Sequence, residues 1–292
     1  MDASRRGQPS LSVAGLPQPG RCLVMGVVNV TPDSFSDGGQ WFEPGEAITH
    51  GLRLAAQGAD LVDVGGESTR PGAVRPSVSE ELRRVIPVVR ELAASGVPVS
   101  VDTMRASVAA QAIDAGAVLV NDVSGGLADP AMFGVVAAAG TPVVLMHWRG
   151  HSDHMQDRTA YRDVVVDVLG ELIVRVDAAL EAGIAADRVI IDPGLGFAKT
   201  GEHNWALLAR LRDFVDTGHP VLVGASRKTF LGDLLADPVT GERRPPELRD
   251  AATAALSTVI ALERVWCVRV HEVTTSLDAV RAAARLGAEI GP

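Results

Sequence analysis

The sequence predicts a single α/β domain: a closed (β/α)8 TIM barrel with long loops at the C-terminal ends of its strands. Three observations predict it. Eight short aliphatic runs alternate with stretches of helical period along 292 residues. That length suits one barrel of about 250 residues. A polar side chain also stands at or just past the end of each run. In a barrel all eight ends converge on one mouth, where such folds place their sites. A doubly wound open sheet, the alternative, would string the same residues along an edge and bind at one switch point.

The runs lie at 23–30, 60–64, 97–102, 117–122, 142–147, 188–192, 220–224 and 267–271. Each is rich in Val, Leu or Ile without sustained polar alternation, as a strand buried on both faces should be. Amphipathic helices are expected at 44–58, 78–95, 104–115, 129–139, 160–183, 203–215, 227–235, 247–264 and 275–288. Gly58, Gly96, Gly116, Gly140 and Gly183 stand where a helix C-cap needs positive φ. Residues 1–20, rich in Pro, Gly and Ser, read as a flexible arm and lack the apolar core of a secretory signal. Residues 21–292 read as the barrel. The loops 31–45 and 65–77 are long, Gly-rich and polar, as mobile loops over a site usually are. A polar loop follows at 148–159, and 236–246 reads as a surface excursion.

Composition narrows the function. Hydrophobic residues make up 47% and charged residues 22% of the chain, which excludes a disordered or fibrous protein. No apolar run reaches membrane-spanning length, so no membrane partner is expected. A net charge of −9 argues against a general nucleic-acid binder while allowing a local cationic pocket. Two cysteines, Cys22 and Cys267, cannot staple a chain this long, so a reduced, cytoplasmic protein is expected.

The polar strand ends carry the chemistry. Asp192, before Pro193-Gly194-Leu195-Gly196, presents two acceptor oxygens on a rigid end. It suits a heterocycle edge with adjacent N–H donors, such as a 2-amino-4-oxo pyrimidine ring; the blander role is a turn-forming Asp. Asp102 and Asn121 fall on neighbouring strands and together make a mixed donor–acceptor wall, although Asp102 alone could cap a helix. Asp63 or Glu67 ends the second run. Lys228 could form a Schiff base or donate to a ligand carbonyl, and the acids Asp192 and Asp102 favour the charged, donating role. Arg269 and His271 are two residues apart and so share a strand face; the last two strands of a barrel commonly hold phosphate. His147, His151 and His154, with Asp153 the one acid among them, do not have the spacing of a tight transition-metal site. Asn29, Asp33 and Asp37 offer oxygen ligands better suited to magnesium carried by a substrate. Trp41, Trp148, Trp205 and Trp266 form no stripe. Gly65-Gly66 lacks the dinucleotide fingerprint.

Seven ordered motifs resemble the dihydropteroate synthase family: NVTPDSFSDGG (29–39), DVGGESTRPGA (63–73), DTMR (102–105), NDVSGG (121–126), DPGLGFAK (192–199), GASRK (224–228) and RVHEV (269–273). Their order and spacing match across about residues 23–290. The resemblance implies a TIM-barrel transferase of folate synthesis, usually a homodimer. It joins 6-hydroxymethyl-7,8-dihydropterin diphosphate to p-aminobenzoate with magnesium on the diphosphate, and releases dihydropteroate and pyrophosphate. It places Asp102, Asn121, Met146, Asp192, Lys228 and Arg269 around the pterin. Asn29, Arg269 and His271 fall at the diphosphate, with Asn29 on the metal. Phe35, Thr69, Arg70, Pro71, Phe197, Lys228 and Thr229 border the p-aminobenzoate site, where sulfonamides bind. Asp37 and Arg70 are the catalytic members of the two mobile loops, alongside Asp102 and Lys228. Thr229 replaces the commoner Ser and keeps its hydroxyl, and Trp148 stands where Met is frequent. A non-catalytic homologue, or a pterin-binding methyltransferase domain of related fold, are the competing readings. The intact motifs at 67–71 and 196–199, together with Arg269 and His271, favour the active enzyme. A dimer could form through 203–215 or 247–264.

Overall fold

The computed structural model describes residues 12–31, 44–67, 75–150 and 159–290. These form eight parallel strands alternating with helices. The strands are β1 (Leu23–Asn29), β2 (Leu61–Gly65), β3 (Val99–Asp102), β4 (Leu119–Asp122), β5 (Val143–Met146), β6 (Val189–Asp192), β7 (Leu222–Val223) and β8 (Cys267–Val270). Pairing runs β6-β5-β4-β3-β2-β1-β8-β7. A bridge between Ile191 and Val221, with the Ile191 N–H donating to Pro220 O at 2.9 Å, joins the two ends. The circle is therefore closed, and the fold is a (β/α)8 barrel.

The unbroken aliphatic character of the strands has a packing cause. Alternate side chains face the barrel interior and the helix layer, and both are dry. Leu23, Met25, Leu61, Leu119, Val144, Ile190, Leu222 and Cys267 fill the interior on the N-terminal side. Val24, Val28, Val62, Val64, Val99 and Val101 pack outward against helical residues such as Leu54, Val85, Val88 and Leu92. Val13 and Leu16, in the described half of the segment read as a flexible arm, join the interior cluster at 1% and 6% exposure. This end of the barrel is thus filled by hydrocarbon, and chemistry is confined to the opposite mouth.

The helices are α1 (Pro44–Ala56), α2 (Val78–Ala94), α3 (Ala106–Asp114), α4 (Met132–Ala139), α5 (Val164–Glu181), α6 (Gly201–Ala209), α7 (Leu211–Val215), α8 (Thr229–Leu234), α9 (Asp250–Leu262) and α10 (Val273–Ile290). The five expected C-cap glycines all adopt positive φ. Three expectations are corrected. The helix expected over 203–215 is two, because Arg210 at φ −123°, ψ 32° leaves the helical region between α6 and α7. The helix expected from 104 begins at Ala106, whose N–H is met by Asp129 Oδ2 at 2.8 Å. The seventh strand shortens to two residues as the chain turns toward Lys228. Among the described residues no helix is long and apolar enough to cross a membrane.

Candidate active site

The barrel register brings the predicted polar ends together. Asp102 is paired with Gly65 on one side and Asn121 on the other, Met146 is paired with Asp192, and Asn29 with Gly65. Asp102, Asn121, Asp192, Lys228 and Arg269 share one mouth. Asp33, Phe35, Asp37, Trp41, Thr69, Arg70, Pro71, His151, Asp153 and His154 lie outside the described residues.

The Arg269 guanidinium organises the floor. Its Nε donates to Asp63 Oδ2 at 2.6 Å and its Nη2 to Asp102 Oδ2 at 2.8 Å. Asn121 Nδ2 donates to the same Asp63 oxygen at 3.0 Å. Asp63 is fully buried, whereas Glu67 pairs with Arg75 at 3.0 Å, so the interior acid of β2 is Asp63. Burial raises the Asp102 carboxyl, Arg269 lowers it, and the neighbouring acids Asp63, Glu81 and Glu67 raise it again; the net direction is upward. The N-cap position of α3 is Arg105, with no side-chain cap, so Asp102 does not cap it. Asp102 is an interior carboxyl paired with the Arg269 guanidinium that it shares with Asp63.

Asp192 takes the turn-forming role: its Oδ1 accepts the Gly194 N–H at 2.7 Å. Burial pushes its pKa up to about 6 against the Gly194 hydrogen bond and the charges of Lys228, Lys199 and Arg269. Gly194 has φ 68°, and a Cβ there would lie 2.5 Å from the His147 carbonyl oxygen. Only glycine lets the backbone pass so close.

Lys228 closes the other side. Its Nζ sits 4.3 Å from the Phe197 ring centroid, a cation–π distance. Burial and Arg269 lower it to about 8, opposed by Asp192 and Asp102. Met104, Val123 and Met146 form an apolar wall with Phe197 and Trp148 packed on it. Such a wall suits the face of a flat ring whose edge meets the polar groups. At the rim of β8, His271 Nδ1 and Ser226 Oγ are 3.0 Å apart, and the His271 N–H donates to the same oxygen at 3.2 Å. Thr229 opens α8 directly after Lys228.

Two supporting groups escaped the sequence reading. Arg249, 6% exposed, donates to Arg227 O at 2.8 Å, Lys228 O at 3.3 Å and Arg244 O at 2.7 Å. Arg227, in left-handed conformation at φ 59°, forms a forked pair with Asp250 at 2.8 and 2.7 Å. Together they fix the backbone that aims Lys228. A Cβ on Gly232 would overlap the Arg249 guanidinium. Gly232→Ala should therefore cost about 1–3 kcal/mol, the usual cost of overpacking, measured by urea denaturation. Unchanged stability would show that Arg249 can leave its carbonyls freely. The second group is Lys199. Its Nζ donates to His147 Nδ1 at 2.9 Å and to Phe197 O at 3.0 Å, and His147 Nε2 meets Glu171 Oε2 at 2.9 Å. Both ring nitrogens of His147 are thus engaged by protein groups.

Comparison with known proteins gives concordant results. Residues 25–271 match the family described as pterin binding enzyme. The dihydropteroate synthase of Mycobacterium leprae is 56% identical over 259 residues, 88% of this chain and 91% of the relative. A Xanthomonas albilineans dihydropteroate synthase solved with 4-aminobenzoic acid superposes with a TM-score of 0.86 at 46% identity, covering 96% of this chain and 99% of that one. The Yersinia pestis dihydropteroate synthase solved with a sulfonamide drug gives a TM-score of 0.87 at 39% identity, covering 95% and 98%.

Proposed function

The chain belongs to the dihydropteroate synthase family of pterin-binding enzymes, and from that membership we propose which of its residues carry each part of the reaction. The reaction condenses 6-hydroxymethyl-7,8-dihydropterin diphosphate with p-aminobenzoate, giving 7,8-dihydropteroate and pyrophosphate, and is the target of sulfonamides. The observation that supports the assignment is the convergence of Asp102, Asn121, Asp192, Lys228 and Arg269 at one mouth, beside the apolar wall of Met104, Val123 and Met146.

Asp192 accepts from the pyrimidine edge of the pterin through Oδ2, while Lys228 donates to the ring. Asn121 and Asp102 face the remaining polar positions, and Met146 lies under the ring. Asn29, Arg269 and His271 receive the diphosphate. The ring delocalises the positive charge left at its exocyclic methylene as pyrophosphate departs, and Asp102 stabilises that charge electrostatically. The neutral arylamine then attacks the methylene, forming the C–N bond, and the protonated amine so formed gives its extra proton to water, leaving the secondary amine. Phe197 and Lys228 wall the arylamine, with Thr229 at the carboxylate end. Phe35, Thr69, Arg70, Pro71 and Asp37 are proposed to complete that wall and the loops above it.

Magnesium is proposed as part of the substrate. Among the described residues no group of three or more His, Cys, Asp or Glu could hold an ion, and Asn29 offers one neutral oxygen. That donor set fits an ion carried by the diphosphate, with Asn29 as a ligand, where it would offset charge on the leaving pyrophosphate. A cytoplasmic homodimer is the proposed form. Cys22 and Cys267 are buried free thiols, suited to a reducing compartment. Of the two candidate faces, α9 with its exposed Val259 and Leu262 and the adjoining Leu248 is the more apolar.

The test is incubation with both substrates and measurement of pyrophosphate and dihydropteroate; no release of either would leave a binding protein. Asp192→Asn keeps the shape but presents a donor to the pterin's own N–H. Pterin affinity should then fall at least about tenfold, the cost of one mismatched buried group. Calorimetry showing unchanged affinity would remove Asp192 from the pocket.

A further inference from the structure

The turn that carries Phe197 is unusual in its backbone. Gly194, Gly196 and Ala198 alternate in left-handed conformation at φ 68°, 81° and 50°. For Ala198 that region is strained, and such strain persists only where surrounding contacts impose it. Each affected peptide is held by a side chain from a different element. Asp192 Oδ1 takes the Gly194 N–H at 2.7 Å, Asn204 Oδ1 takes the Gly196 N–H at 2.8 Å, and the Tyr161 hydroxyl donates to Ala198 O at 3.0 Å. Lys199 Nζ donates to Phe197 O at 3.0 Å.

Lys199 is 4% exposed and His147 2% exposed. From Lys199 a chain of polar contacts runs outward. His147 Nδ1 accepts from Lys199 at 2.9 Å, so its Nε2 carries the proton donated to Glu171 Oε2 at 2.9 Å. Arg149 pairs with the same Glu171 carboxylate and stacks 3.9 Å over the Tyr161 ring. The two ends of the chain, Lys199 and Tyr161, therefore grip successive carbonyls of one turn. A buried ammonium is costly where a methionine would fill the volume. What an apolar side chain cannot do is hold the Phe197 carbonyl.

We propose that Lys199 is a positioning residue that sets Phe197 for the second substrate, acting with His147, Glu171, Arg149 and Tyr161. This rests on the reading of Phe197 as a wall of the p-aminobenzoate site. Lys199 acts through the turn and spends its hydrogen bonds on protein groups. Burial lowers Lys199 to about 7, against the pull of Asp192 and Glu171. His147 is lowered to about 4 by burial and Lys199, so it stays a neutral acceptor for the lysine.

The experiment is steady-state kinetics with both substrates, together with calorimetric pterin affinity, for the parent enzyme, Lys199→Met and Tyr161→Phe. Lys199→Met should raise KM for p-aminobenzoate about tenfold or more, the loss of a hydrogen bond from a charged donor. Tyr161→Phe should raise it about threefold, the loss of a neutral one. Pterin affinity should fall less than that KM rises in both, because Phe197 walls the arylamine while the pterin meets Asp192 and Asn121, and the Lys199 charge reaches Asp192 only as one of several that lower it. A purely structural role would lower the melting temperature without this split. An unmoved KM, or pterin affinity falling in parallel, overturns the inference. Should Lys199→Met fail to fold, Tyr161→Phe decides by the same criterion. A parent enzyme that forms no dihydropteroate would overturn the functional reading and the inference with it, whereas an active parent with unmoved KM in the variants overturns the inference alone.

Discussion

Arg269→Met is expected to destabilise the protein by about 3–5 kcal/mol at pH 8, the usual result of removing one partner from a buried charge cluster, and to abolish detectable turnover. The guanidinium is shared by Asp63 at 2.6 Å and Asp102 at 2.8 Å on adjacent strands, with Asp63 fully buried. Methionine fills much of the volume but leaves two carboxylates facing each other. Asn121 alone, at 3.0 Å from Asp63, cannot offset both charges. Burial already raises Asp102, and Arg269 is the first opposing influence, so its loss moves the carboxyl further up. The pH dependence follows from that direction. A carboxyl raised in the folded state binds its proton there at a pH where the unfolded chain has lost it, so the stability of the variant rises as pH falls. The gap between parent and variant should therefore narrow from pH 8 to pH 5 in urea denaturation. An equal gap at both pH values would show that Arg269 contributes by packing and not by charge.

The strands were legible because burial on both faces removes polar alternation, and the site was legible because a barrel projects all strand ends onto one mouth. The gathering of Asp102, Asn121, Asp192, Lys228 and Arg269 at one mouth needed only that rule. The choice between Asp63 and Glu67 did not follow from spacing. It turns on the two-residue period of β2, which points Asp63 inward, while Glu67 lies beyond the strand and pairs with Arg75. Lys199 lies in the motif at 192–199, but its contacts, like Glu171 and Arg249, were not legible, for a different reason. His147 and Lys199 are 52 residues apart, and Arg249 binds backbone carbonyls, which have no signature in the side-chain sequence. The break at Arg210 was hidden because residues on both sides keep a helical apolar period, with Leu207, Leu208, Leu211 and Phe214 all buried.

Lys228→Met is expected to lower kcat/KM for the pterin diphosphate by about 1.5–3 kcal/mol of transition-state stabilisation, the range for a hydrogen bond from a charged group, and to change the shape of the pH profile. In the parent enzyme Asp192 must be ionised to accept from the pterin, and Lys228 must be charged to donate. Asp192 is raised to about 6 by burial, so its acceptor is lost as pH falls through that value. Lys228 is lowered to about 8 by burial and Arg269, so its charge is lost as pH rises through that value. The two groups together give a bell with its plateau between them. Lys228→Met removes the alkaline limb and keeps the acid one. The acid limb should also move to higher pH, because the Lys228 charge is one of those that hold Asp192 down. Asp192→Asn should remove the Asp192 part of the acid limb and leave that of Asp102, whose carboxyl burial also raises. The measurement is kcat/KM for the pterin diphosphate from pH 5 to 9 in all three proteins. An alkaline limb that survives in Lys228→Met would assign it to another group and remove Lys228 from the donor role. Borohydride treatment with substrate tests the remaining chemistry of this lysine. A charged donor traps no adduct, whereas a mass increase on the peptide containing Lys228 would mark it as a Schiff-base former.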